Sequence, residues 1–339
     1  MTDLFATKLK AIARAVPLVA YLELTWACTW DCAFCYNPKG RESETMPGRI
    51  WLGVLDELRL AGCLTVVLTG GEPMLHPDFF AIGDAVRERS FALRVLTNGS
   101  LVTDVAADAI AGWHPLSVEL SVHGSTAATH DGVTRRQGSF EAVWRAVEKL
   151  AARGVRLVLK APLTRHNQDQ LEDLIEQARA WGIPFRLDPC LTPRDDGDLT
   201  PLTHGPDWAG VEKAVRALAD EHRLPLVERV AGQACCGVGR STLAIDPCGE
   251  VFPCLQWRSE SLGNVRDHRL HTLWRTSPVR RKVAELAVEV NQRLVELGEP
   301  MVSSAYCPAL AAQLTGDPLQ PDPESRARAE LVKRVRSGA

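Results

Sequence analysis

From Val19 to about Arg223 the chain alternates short β-rich runs with amphipathic helical stretches, and this alternation leaves few folds open. The strand candidates are Val19–Thr25, Leu64–Thr69, Leu93–Thr97, Leu116–Val122, Arg156–Lys160 and Phe185–Asp188. Helical patterns fall near Arg49–Leu60, Pro77–Glu88, Asp104–Ala111, Phe140–Arg153, Gln168–Trp181 and Asp207–His222. Six strands alternating with six helices predict parallel pairing through βαβ crossovers, an α/β fold. Periodicity alone does not decide between a closed barrel and an open sheet. In both, the loops that follow the strands emerge at one edge, where active sites assemble.

Cysteine placement supplies the chemistry. Ten cysteines are many for a chain of 339 residues expected in a reducing compartment, where a disulfide framework is not expected. Cys28, Cys32 and Cys35 crowd into eight positions, Cys235, Cys236, Cys248 and Cys254 form a second group, and Cys307 stands alone. Such clustering is what metal binding needs, because several thiolates must converge on one centre. Cys28-x-x-x-Cys32-x-x-Cys35 falls in the loop after the first strand. Three thiolates can each ligate one iron of a cubane and leave the fourth iron open. Structural zinc normally takes four ligands, and no fourth is nearby. The remaining thiols, Cys63 and Cys190, read as small core residues, and Cys248 as the solvent-facing tip of a hairpin turn.

Other informative segments share the edge that carries the first cysteines. Gly70–Pro73 follows strand two, Thr97–Ser100 follows strand three, and Ser121–Ser125 ends strand four. The net charge of −3 argues against a nucleic-acid partner. No apolar run reaches the roughly 18–20 residues that span a bilayer, and Met1 to Val16 lacks a signal-peptide core. A cytoplasmic protein is expected.

At this point the residues carry a resemblance. The cysteine loop, with Phe34 before its third cysteine and Tyr36 after it, resembles the signature of the radical S-adenosylmethionine (SAM) family. Gly70-Gly71-Glu72-Pro73 is similar to the family's segment whose backbone receives SAM's amino group, and Thr97-Asn98-Gly99 to the segment near the ribose. Ser121 and Arg145 fall where subfamily members hold SAM's ribose and carboxylate. The resemblance implies a partial (β/α)6 barrel, TIM-like, with cofactor contacts at Gly70, Gly71, Glu72, Pro73, Asn98, Ser121 and Arg145. Physically, paired glycines let a backbone approach a ligand, and a guanidinium suits a carboxylate. Taken alone, Gly70-Gly71 would be a tight turn and Arg145 a solvated helix residue. His123, beside Ser121, is a cofactor neighbour by position. Lys160 and Asp188 lie on strands that can face the barrel interior, with a satisfied core polar group as the equal alternative, and Asp195-Asp196 reads as a solvated loop pair.

Beyond Leu224 the pattern shifts to short segments with Gly, Pro and Cys, then a helical stretch near Val279–Leu297. Cys236, followed after twelve residues by Gly249-Glu250-Val251-Phe252-Pro253-Cys254, resembles the opening of a SPASM or twitch extension, as does the later Leu262-Gly263-Asn264-Val265. The stretch around Cys307 is similar to the C-terminus of the pyrroloquinoline quinone maturase without its surrounding cysteines. The extension is thus expected to be a small α+β domain with one auxiliary [4Fe–4S] cluster on Cys236, Cys254 and Cys307. Cys235 is a possible fourth ligand, although consecutive side chains tend to diverge. Leu255 stands where sulfatase-maturing relatives place a catalytic aspartate. The expected organisation is an N-terminal segment 1–18, a barrel 19–224, the extension 225–316 and a Pro-, Arg- and Glu-rich tail 317–339, an exposed helix or partly disordered.

The resemblance implies an oxidoreductase in which a reduced SAM-binding [4Fe–4S] cluster cleaves SAM to a 5′-deoxyadenosyl radical that abstracts hydrogen from the substrate. A peptide maturase acting on a ribosomally synthesised peptide is the leading reading. A small-molecule biosynthetic enzyme is the alternative, and an iron–sulfur electron carrier a third, which would have no need of the SAM segments. A ferredoxin or flavodoxin is the expected reductant. With about 18 residues before the first strand, no fused peptide-recognition domain is expected. A peptide's leader is then presented by a separate leader-peptide-binding protein or held by the barrel itself.

Overall fold

In the computed structural model the described residues are 12–188, 191–220, 226–227, 230–296, 301–302, 306–320 and 323–337. Strands β1 (Val19–Glu23), β2 (Thr65–Thr69), β3 (Ala92–Thr97), β4 (Ser117–Ser121), β5 (Leu157–Pro162) and β6 (Phe185–Asp188) pair in parallel in that order. Helices α1 (Gly48–Leu60), α2 (Phe79–Glu88) and α3 (Asp104–Gly112) link the first four strands. Then come α4 (Ala127–Thr134), α5 (Ser139–Ala151), α6 (Leu171–Ala180) and α7 (Trp208–Asp220). Sequential order with right-handed crossovers puts the linking helices on one face, the partial (β/α)6 barrel the sequence leads one to expect.

Strand periodicity divides the sheet. Ala20, Leu22, Leu24, Val66, Leu68, Val95, Val118, Leu120 and Leu159 belong to the core shared with Trp51, Leu55, Phe79 and Ile82 of the helices. Their neighbours along each strand, which include Glu23, Arg94, Glu119, Lys160 and Arg186, take the opposite face. That face is the barrel interior, and it is strongly polar.

Between β4 and β5 the chain makes two helices where the sequence pattern shows one. The eight-residue α4 buries only His130, Val133 and Thr134, too little apolar periodicity to stand out. Its limits are set by local chemistry: Thr126 Oγ1 accepts the Thr129 amide at 3.3 Å, and Arg135 stops the helix in the left-handed region at φ 52°.

The C-terminal extension continues the same sheet. After β7 (Leu226–Val227), strand β8 (Thr242–Ile245) pairs in parallel with the free side of β1, with Val19 opposite Thr242. Strands β9 (Glu250–Phe252) and β10 (Gly263–Asn264) follow in antiparallel order. Helices α8 (Leu270–Thr276), α9 (Pro278–Glu296) and α10 (Pro308–Thr315) complete the extension, and β11 (Met301–Val302) pairs with β7. No helix among the described residues is long and apolar enough to cross a membrane.

The tail differs from expectation. Helix α11 (Pro323–Ser337) buries Ala329, Leu331 and Val332 against Val211, Val215 and Leu218 of α7. A short apolar stripe on an otherwise charged helix suffices for docking. Cys63 is buried as expected, with 6% exposure, whereas Cys190 lies outside the described residues. Leu331→Ala should lower stability by about 2–4 kcal/mol in urea unfolding, the usual cost of truncating a buried leucine. Leu60→Ala, at a residue 75% exposed, should cost under about 0.5 kcal/mol. Equal effects would show that α11 is not docked.

Candidate metal and cofactor site

The loop after β1 is fastened from several sides. Its Asp31 and Ala33 amides donate to the Thr134 and Val133 carbonyls at the end of α4, both at 3.0 Å. The Cys35 amide donates to the Cys32 carbonyl at 3.1 Å, which turns the chain between the last two thiols. Trp30 packs edge-on to His130 and Phe34 edge-on to His123, with ring centroids 5.2 and 5.0 Å apart. The two imidazoles stack at 5.5 Å, and the His123 amide donates to His130 Nδ1 at 3.1 Å. Desolvation lowers the pKa of His130 to about 4 and pushes that of His123 well down, so both rings are neutral. His123 is thus part of the wall behind the cysteine loop.

The three thiols share one locale. Burial, and then the charges of its two companions, raise the pKa of Cys32 well above the usual thiol value, and burial lifts Cys28 to about 11. Among the described residues no three Cys, His, Asp or Glu side chains converge tightly enough to hold a single metal ion. A cubane binds each thiolate at a different iron, so its ligands stand further apart than those of one ion. Three thiols on one loop can each take a different iron of a cubane and leave the fourth iron open. Binding iron displaces the protons that burial otherwise retains.

The paired glycines also answer a packing constraint within the protein. A Cβ on Gly70 would lie 2.4 Å from the Thr25 carbonyl oxygen, and one on Gly71 2.3 Å from that of Ala27. The Gly71 and Glu72 amides donate to those same carbonyls at 2.7 and 2.8 Å. Glycine is required because two stretches of protein backbone touch here. The Gly70 carbonyl also accepts from Asn37 Nδ2 at 3.3 Å, on the far side of the cysteine loop.

Glu72 is fully buried and turns to the protein. Its carboxylate accepts from Thr97 Oγ1 at 2.8 Å, the Asn98 amide at 2.8 Å and the Met74 amide at 3.2 Å. Desolvation still raises its pKa to about 7. Pro73 is buried at the start of a single 3-10 turn. Asn98, fixed in this way, reaches the cysteine loop, where its Nδ2 lies 2.9 Å from Thr29 Oγ1 and 3.5 Å from Cys28 Sγ. Ser121 ends β4 at the same edge, partly exposed.

Arg145 does not join them. Helix α5 buries Val143, Ala146, Val147 and Leu150. At 100° per residue Arg145 points opposite that stripe, and it is exposed. The matching spacing in sequence carries no information about helical phase, and here the phase turns Arg145 outward.

An ion network absent from the sequence reading secures the loop from the other side. Arg258, four residues after Cys254, places Nη2 2.5 Å from Glu23 Oε2 at the end of β1, and Nε 3.3 Å from Asp195 Oδ2. The Arg258 and Glu23 side chains are 4% and 0% exposed. Asp195 is therefore ion-paired, contrary to the solvated loop pair expected. Burial raises its pKa to about 7 against the pull of Arg258. Its amide donates to the Tyr36 carbonyl at 2.9 Å, and Arg194 Nη1 donates to the Cys35 carbonyl at 2.8 Å. A carboxylate in a strand and a Trp-Arg pair beyond a cysteine were the only sequence signals.

The second cysteine group gathers beside Val238, Trp257, Val283, Ala287 and Ala309, against which Cys235, Cys254 and Cys307 pack. Burial, then Cys236 and Cys307, lifts the Cys254 thiol to about 12. Burial also raises Cys307, with further contributions from Cys236 and Asp188. Cys235 and Cys236 do not diverge as consecutive residues usually do, because their Sγ atoms lie 3.9 Å apart. Cys248 is apart from this group and is not a free hairpin tip; its thiol donates to Glu44 Oε2 at 2.7 Å.

Two expectations follow. Arg258→Met should destabilise the protein by about 3–5 kcal/mol in denaturant unfolding, because it strands the buried Glu23 charge. Adding Glu23→Leu should recover much of that loss, and a cost confined to a few tenths of a kcal/mol would deny the network a role. Arg145→Ala should leave SAM affinity, measured by equilibrium dialysis, within about twofold of wild type, as for a surface substitution. A loss beyond about tenfold would return Arg145 to the cofactor.

Comparison with known proteins gives the chain its family. Residues 22–178 match the family model of the radical SAM superfamily, and residues 235–297 match that of the SPASM iron–sulfur cluster-binding domain. The mycofactocin maturase MftC of Mycobacterium tuberculosis is 31% identical over 288 residues, 79% of this chain and 73% of its own. The PqqA peptide cyclase of Ruegeria pomeroyi is 30% identical, over 70% of this chain and 67% of its own. Among solved structures, anSMEcpe with bound AdoMet and the Cp18Cys peptide superposes with a TM-score of 0.69 at 16% identity, covering 95% of this chain and 99% of that one. Streptococcus suis SuiB bound to the precursor peptide SuiA gives 0.67 at 15% identity, covering 84% and 72%. These two share the fold. From its barrel, its thiol groups and these relatives, the chain belongs to the radical SAM superfamily, as an enzyme with a C-terminal SPASM-type iron–sulfur extension.

Proposed function

We propose that this enzyme modifies a ribosomally synthesised peptide, with Cys28, Cys32 and Cys35 holding the SAM-binding [4Fe–4S] cluster. A second [4Fe–4S] cluster is assigned to Cys236, Cys254 and Cys307 with Cys235. The observation that carries the two-cluster reading is the gathering of two separate thiol groups, one behind β1 and one in the extension near the end of β6. The peptide reading is supported by relatives named as a mycofactocin maturase, a PqqA peptide cyclase and the subtilosin biosynthesis protein AlbA of Bacillus subtilis. A small-molecule substrate is the second reading. It is favoured by the AdoMet-dependent heme synthase of Methanosarcina barkeri, 24% identical over 92% of this chain and 97% of its own.

When bound, the cluster and SAM supply one-electron cleavage of SAM and hydrogen abstraction from the substrate. The protein's part is positioning. Asn98 lies beside Cys28 Sγ and favours its thiolate, while Glu72 holds Asn98 in place. Backbone groups of Gly70–Pro73, with Ser121, are assigned to SAM. Arg194 and the Arg258 network keep the cysteine loop closed against the extension. Cys235 and Cys236 approach to 3.9 Å, closer than thiolates on two irons of one cubane, so Cys235 caps the fourth iron only if the two side chains separate on cluster binding. Four thiolates would then suit electron transfer better than substrate ligation. An external reductant is needed, and a ferredoxin or flavodoxin fits that role.

Anaerobically reconstituted protein should hold about eight irons, four per cubane. The Cys28→Ala, Cys32→Ala, Cys35→Ala triple variant should keep about four. Iron at zero or unchanged in that variant would refute two independent sites. Incubation with SAM, reductant and short peptides encoded beside the gene should change one peptide's mass. Turnover of a small molecule with every peptide unaltered would favour the second reading.

A further inference from the structure

The interior face of β3–β6 collects charge that neither thiol group uses. Glu119 of β4 has a side chain only 1% exposed. Arg94 of β3 donates to its Oε1 through Nε at 2.8 Å and also through Nη2. Lys160 Nζ of β5 lies 3.2 Å from Oε2, and Arg186 Nη1 of β6 lies 3.8 Å from Oε1. Burial opposes ionisation of Glu119, but Lys160 and Arg94 hold its pKa below the usual range. One carboxylate thus faces three cations. Asp188, the other carboxylate on this face of β6, lies near enough to Cys307 to raise that thiol, and with it included the group still carries excess positive charge. The Glu23 and Asp195 charges further along belong with Arg258.

The donors are unequally spent. Arg94 commits its fork to Glu119, while Lys160 and Arg186 have side chains 39% and 59% exposed. An ammonium has three donors and a guanidinium five, so each retains several for an anion in front of the sheet. Glu119 holds the two cations side by side and offsets only part of their charge. Their level in the barrel is fixed by register: Lys160 lies opposite both Ser121, at the catalytic edge, and Arg186.

We propose that Lys160 and Arg186 form a subsite for a carboxylate of the substrate, with Glu119 and Arg94 as the positioning pair beneath it. An anionic group fixed there anchors the substrate within the barrel at the level of Ser121. A terminal or side-chain carboxylate of a peptide has this chemistry. The inference rests on the radical SAM reading only for what happens to the bound molecule, not for the binding itself.

The test is equilibrium dialysis of radiolabelled glutarate against the reconstituted holoenzyme saturated with SAM, with glutaramide as the uncharged control. Wild type should bind glutarate and not glutaramide. Lys160→Met and Arg186→Gln should each weaken glutarate binding about tenfold or more, with SAM affinity and iron content unchanged. Absence of glutarate binding in wild type, or unaltered binding in both variants, would overturn the proposal. So would a parallel loss of SAM affinity, which would assign the cations to SAM's own carboxylate. Failure of the radical reading would show separately, as wild-type enzyme that makes no 5′-deoxyadenosine.

Discussion

Everything at the cluster edge depends on two backbone segments packed too closely to admit a Cβ. The Gly70-Gly71 turn lies against Thr25–Ala27, and the amides of Gly71 and Glu72 close hydrogen bonds onto carbonyls immediately before Cys28. The contact begins a circuit. Glu72, locked by the turn, fixes Thr97 and Asn98, and Asn98 returns to Thr29 and Cys28. The first thiol is therefore positioned from both ends by one hydrogen-bonded ring spanning three strand-exit loops. Rigid support of this kind is what a precise cofactor site requires, because a ligand held loosely samples unproductive geometry.

A second constraint ties the extension to the barrel. Strand β8 adds to β1 in parallel, and Arg258 carries a charge from beyond Cys254 into the interior beside Glu23. A buried ion pair adds little net stability, but breaking it is costly, so such pairs specify an arrangement more than they strengthen it. Here the arrangement specified is the placement of the extension against the loop Cys35–Asn37, where Arg194 and Asp195 also bind. The two thiol groups are thereby parts of one framework.

The barrel was legible in the sequence because its strands and most of its helices repeat with strong periodicity, and their limits agree within a few residues. The cysteine groups were legible because thiols in such spacings have few other uses. What escaped depends on phase and distance. Arg145 matches in residue type and spacing, but only the fold shows that it lies on the outer side of its helix. Glu23, Arg258 and Asp195 lie hundreds of positions apart in part and meet only in the fold. Helix α4 and the docking of α11 rest on a few buried side chains that composition dilutes. The expected divergence of Cys235 and Cys236 gave way to local backbone geometry, with the Cys235 amide tied to the Ala287 carbonyl at 2.9 Å.

The central claim is that SAM chemistry belongs to the cluster behind β1 and is separable from the thiol group of the extension. The direct measurement is formation of 5′-deoxyadenosine and methionine under dithionite, without substrate, by anaerobically reconstituted enzyme. Wild type and a Cys254→Ala, Cys307→Ala variant should both form them, whereas a Cys32→Ala variant should form none. Undiminished cleavage by Cys32→Ala, or cleavage lost only when Cys254 and Cys307 are replaced, would contradict the assignment.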